Sequence, residues 1–150
     1  MTKEEFLNRY NIPRTVDEAL RKGINAAVQH NRLYNTNDHR VRMEVKNYWK
    51  KRLQQSSEDF RKENWNEEDC ENKIIELKEN MNHRFGQMVN FRISHSQKSL
   101  NVFFKHLWCL DKLPIPPQCP VDRIILTRAN APYNQRNWTF IDDINTHRER

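Results

Sequence analysis

Two glycines, Gly23 and Gly86, serve a chain of 150 residues. That scarcity excludes glycine-rich phosphate loops, the nucleophile elbow of serine hydrolases and repeated tight hairpins, all of which need backbone that only glycine adopts freely. Cysteine is scarce as well: Cys70, Cys109 and Cys119 are an odd number without a C-x-x-C pair. Neither a disulfide framework nor a zinc-finger spacing is indicated, and reduced thiols are expected. Apolar residues make up 36% of the sequence, and no run of them is long enough to cross a bilayer. The opening MTKEEFLNRY lacks the basic start and apolar stretch of a secretory leader. A cytoplasmic protein with no membrane partner is expected. The length suits one hydrophobic core, not two, so residues 1–150 are read as a single domain.

What the chain does have is helix-forming sequence. Thr15-Val-Asp-Glu18 after Pro13 has the pattern of a capping box and predicts a helix from about Val16 to Tyr34. A second helix is expected from Asn37 or Asp38, with Val41, Val45, Tyr48, Trp49 and Leu53 at helical spacing, weakening near Phe60. Acids at Glu67, Glu68 and Asp69 then open a third, on which Cys70, Ile74, Leu77, Met81 and Phe85 recur at steps of four and three before Gly86. A fourth begins at Ser94 or Ser96 and places Leu100, Phe103, Phe104, Leu107, Trp108 and Leu110 on one face. His95, Lys98, Lys105, His106 and Cys109 fall on the other, which is expected to be polar. Trp138, Phe140 and Ile141 are expected to dock a last helix or turn. The fold class that follows is a mainly α, compact single-domain helical bundle of about five or six helices, its core centred on the 94–112 helix.

Charge narrows the partners. Lys and Arg outnumber Asp and Glu by 26 to 20, a formal +6, which favours polyanions, with nucleic acid first and DNA favoured. Arg40, Arg42, Lys46, Lys50, Lys51 and Arg52 form a basic stripe on the second helix, beside Tyr48 and Trp49. With His95 and Lys105 they are the candidate nucleic-acid contacts. A solvated helix face is the commoner meaning of such a stripe, and Glu44 dilutes it.

The richest stretch lies at 94–126. Lys98 is expected in the first turn of the fourth helix, where the positive end of the helix dipole disfavours an ammonium group. Beyond the prolines of 114–120, Pro120 suits a first helical position, which puts the carboxylate of Asp122 in a first turn with free amides. A solvated lysine and a well-formed helix start would explain both. Together, however, QKSLNVFFK, a connection containing LDK, and PVDRIIL resemble the segment of helix-hairpin-helix DNA glycosylases that carries a nucleophilic lysine and an essential aspartate in a VD motif. The resemblance implies that Lys98 attacks the sugar C1′ of a damaged nucleotide to form a Schiff base. It implies that Asp122 stabilises the developing positive charge or positions the nucleophile.

Other constellations carry less. His106-x-x-Cys109 has a metal-ligand spacing without a second pair, and Glu76-Leu-Lys78 and Glu44-Val-Lys46 fall within helical patterns, where they read as surface charge pairs. No metal and no cofactor is expected. Two functions remain: a basic nucleic-acid-binding protein with glycosylase-like base excision at Lys98 and Asp122, or a non-enzymatic helical binding or inhibitor protein of mobile-element or phage type that acts on another macromolecule.

Overall fold

The computed structural model describes residues 2–29 and 31–116. Five α-helices follow one another: α1 (Lys3–Arg9), α2 (Val16–Val28), α3 (His39–Glu63), α4 (Glu67–Phe85) and α5 (Ile93–Cys109). A 3-10 turn at Gly86–Met88 and an isolated antiparallel bridge between Tyr34 and Val89 complete the regular structure of the described residues, which is all-α as expected.

Local chemistry accounts for the helix ends. Thr2 accepts from the Glu5 N–H while Glu5 returns a bond to the Thr2 N–H, starting α1, a helix that periodicity did not bring out. Thr15 accepts from the Glu18 N–H at 3.2 Å, the first half of the expected box. Asp38 caps α3 through the Arg40 N–H at 2.9 Å, and Asn66 with Asp69 forms both halves of a box on α4. Asn64 closes α3 in the left-handed conformation that asparagine tolerates, with φ 54°. Gly86 closes α4 at φ 54° and ψ −124°, a backbone state essentially reserved for glycine.

α5 is the axis of the bundle, with α2, α3 and α4 packed around it. Phe103, Phe104 and Leu100 on α5 meet Trp49, Leu53 and Phe60 on α3, Ile24 on α2, and Ile74 and Met81 on α4 in one buried cluster. Trp65 and Phe104 flank Phe60, with ring centroids 5.5 and 5.3 Å from it. Burying such rings is the main stabilising term of a small helical core. α2 approaches α5 very closely at Gly23: a Cβ there would lie 2.9 Å from the Ser99 carbonyl oxygen and 3.3 Å from Phe103 Cβ. Buried hydroxyls at this crossing are satisfied, since Ser99 Oγ accepts from Trp49 Nε1 at 3.1 Å and Ser96 Oγ donates to the Ile74 carbonyl at 2.6 Å.

Two expectations are corrected. The first helix does not run to Tyr34 but stops at Val28, because residues 33–35 turn away to pair with 88–90: Asn35 N–H donates to the Met88 carbonyl at 2.9 Å and Asn90 N–H to the Leu33 carbonyl at 2.7 Å. Nor does α5 have the polar face that helical spacing suggests. His95, Lys105, His106 and Cys109 are all buried and only Lys98 of that set is exposed. Part of the reason is α1, whose Phe6 and Leu7 form a second small core with Trp108 and Cys109 at the end of α5. The expected helix at Pro120, the Trp138–Ile141 segment and Cys119 lie outside the described residues.

Candidate functional site

The segment between α2 and α3, Asn31-Arg-Leu-Tyr-Asn-Thr-Asn37, is rich in side chains that compete with helical hydrogen bonding, and it forms the connection that breaks the helix. It is laced to residues 86–95. Besides the two backbone bonds above, Asn35 Nδ2 donates to the Gln87 carbonyl at 3.1 Å, and His95 is held at both ring nitrogens. His95 Nδ1 accepts from the Arg92 N–H at 3.0 Å, so the proton sits on Nε2, which donates to the Asn31 carbonyl 3.1 Å away. His95 therefore joins two loops from inside and presents no ring nitrogen to solvent.

This seam gathers arginines. Arg42, from the second turn of α3, lies over the Tyr34 ring at 4.8 Å, while its Nε donates to the Thr36 carbonyl at 2.9 Å and its Nη2 to Asn37 Oδ1 at 3.3 Å. Arg32 Nε donates to the Tyr34 carbonyl at 3.3 Å. From the last turn of α4, Arg84 lies over Tyr48 at 4.8 Å, and Tyr48 meets Phe85 edge to face. Arg92 reaches Asn90, whose amide oxygen, turned toward it, accepts from Nε at 3.1 Å and Nη2 at 2.9 Å. Residues 31–43 and 83–98 together contain six cations, Arg32, Arg40, Arg42, Arg84, Arg92 and Lys98, against one acid, Asp38. None of the six is in an ion pair among the described residues, whereas Lys50 faces Asp17 at 3.8 Å and Arg52 faces Glu76 at 3.2 Å. These two segments therefore carry an excess of positive charge, with Glu44 the next acid along α3.

A cleft of about 350 Å³ opens in the same place, lined by Val28, Asn31, Arg32, Leu33, Tyr34, Asn35, Thr36, Asn37 and Arg42. Tyr34 borders it, while its hydroxyl is buried and has no hydrogen-bond partner among the described residues. Burial pushes the phenol above its ordinary value of 10.0, opposed by the positive charge of Arg42.

The candidate residues thus divide. Arg40, Lys46 and Lys51 are exposed, Arg42 is half-buried at the cleft, and Lys50 and Arg52 are engaged by acids of neighbouring helices. Lys105 is buried in α5 with His95, away from any surface stripe. Lys98 is exposed on the outward side of α5 with Ser94 and Gln97, and has no ion-pair partner among the described residues. Asp122 lies outside those residues. No group of three or more His, Cys, Asp or Glu suited to a metal ion occurs among them. Arg32, Tyr34, Arg84 and Arg92 escaped the sequence reading. The only local signal was the Asn-rich interruption at 31–37, since the second half of the cluster is supplied by a distant segment.

No protein-family model, curated protein or solved structure matches this chain.

Proposed function

We propose that this protein binds nucleic acid through the arginine seam between residues 31–43 and 83–98. The observation that carries this reading is the concentration of six cations without ion-pair partners among the described residues, two of them stacked on tyrosine rings. Guanidinium groups match phosphate oxygens with paired N–H donors, and the rings behind Arg42 and Arg84 restrain those two side chains before binding. The exposed Lys46 and Lys51 of α3 extend the positive surface, while the acid-paired Lys50 and Arg52 contribute less.

The test is titration of labelled oligonucleotides at two salt concentrations. Binding that weakens steeply as salt rises, through loss of the counterion-release term, is the expected result. Absence of binding at low salt would remove nucleic acid and leave a protein partner for a non-enzymatic binding factor. Base-excision chemistry is a second reading, favoured by one observation: Lys98 is exposed and belongs to the same cationic segment. Its nucleophilic attack would give a Schiff base that borohydride traps, so the two readings separate by whether a covalent adduct forms.

A further inference from the structure

The cleft beside Tyr34 is in the size range of small-ligand sites and too small for the width of a duplex. Building on the nucleic-acid reading, we propose that it seats one unpaired nucleotide and thereby makes the protein selective for single strands. A nucleotide asks for a cation at its phosphate, a flat surface for its base and polar groups for the base edge. Arg32 supplies the first: of its five N–H groups, one is bonded to the Tyr34 carbonyl, and no carboxylate pairs with it among the described residues. Arg42 supplies the second, because Tyr34, the Thr36 carbonyl and Asn37 together hold its guanidinium in place, and bases of single strands stack on guanidinium planes. Asn31 borders the cleft with a side-chain amide that has no hydrogen bond among the described residues and carries both a donor and acceptor for a base edge. A base inside a duplex has its faces stacked and its pairing edge engaged, so it meets none of these groups without being extruded.

The experiment compares the wild-type protein on a single-stranded oligonucleotide and on its duplex, equal in length, at one salt concentration. The single strand then carries 5-iodouracil for ultraviolet cross-linking and tryptic mapping. Binding of the single strand about tenfold tighter than the duplex is expected, with cross-links in the 33–40 tryptic segment. Arg32→Gln, an exposed position, should lower single-strand affinity about tenfold through loss of a charge-assisted contact, with the unfolding temperature unchanged. Equal affinity for duplex and single strand, or cross-links confined to other segments, overturns the cleft proposal and leaves the arginine seam as a general binding surface. No binding to either probe overturns both.

Discussion

Tyr34 borders the cleft, yet its hydroxyl is buried with no hydrogen-bond partner among the described residues. An unsatisfied buried hydroxyl costs about 1–3 kcal/mol, so Tyr34→Phe should leave stability unchanged or raise it by up to that amount, measured by chemical denaturation near neutral pH. The pH dependence has a definite sign. Burial raises the folded-state value above 10.0, so the folded protein holds this proton more tightly than the unfolded chain does. The resulting contribution to stability is intact below pH 10 and is lost as pH rises through the folded value. Denaturation at pH 8 and above pH 10 should therefore show a shallower alkaline loss in Tyr34→Phe than in the parent; identical slopes would contradict this account. Phe104 is a simpler case. It is 2% exposed between Phe60 and Trp65, and Phe104→Ala should cost roughly 3–5 kcal/mol.

At the scale of elements, the crossing of α2 and α5 is the tightest constraint. In most helices Gly→Ala would gain about 1 kcal/mol of propensity. Here the added methyl would meet the Ser99 carbonyl of the neighbouring backbone at 2.9 Å, which cannot rotate away as a side chain would. Gly23→Ala should therefore destabilise by about 1–3 kcal/mol, as overpacking does, and a lowered unfolding temperature would show it. The reach of sequence reasoning differs from helix to helix. α3 and α4 are legible in the sequence, from a start at Asn37 or Asp38, the acids Glu67, Glu68 and Asp69 in a first turn, and their apolar spacing, because these signals are local. α5 was placed within a turn, but its burial was misjudged: the spacing of His95, Lys105 and His106 suggests an outer face only if nothing covers it. Neighbouring elements do, with α1 at the C-terminal end and the 31–37 segment bonded to His95 at the other.

For the whole molecule, the formal +6 says that anions are attracted, and the fold says where. If the arginine seam contacts phosphates, replacing both Arg84 and Arg92 by Gln should reduce the slope of log affinity against log salt by about 1.5, two contacts' worth. Arg52→Gln, whose guanidinium already faces Glu76, should change it by less than half as much. An effect half as large from Arg52→Gln, which removes one charge where the double variant removes two, would mean that net charge alone governs binding. Chemistry is tested separately with abasic or damaged duplex and borohydride. A trapped adduct lost in Lys98→Gln, with salt-sensitive binding retained, would establish the enzymatic reading, and no adduct across a panel of lesions would remove it.

Sequence alone was enough for the helical class, for most helix boundaries and for the core positions of α3 and α4, because capping and 3.6-residue periodicity act over a few neighbouring residues. It was also enough to show excess positive charge. The tertiary structure decided which cations stand together. The segment that carries Arg32 and Arg42 is joined to the one that carries Arg84 and Arg92 by the bridge between Tyr34 and Val89, which links stretches distant in the sequence. The same packing drew His95 and Lys105 inside and engaged Lys50 and Arg52 with acids from neighbouring helices. Periodicity records the angle of a side chain about its own helix; what lies at that angle depends on elements elsewhere in the chain.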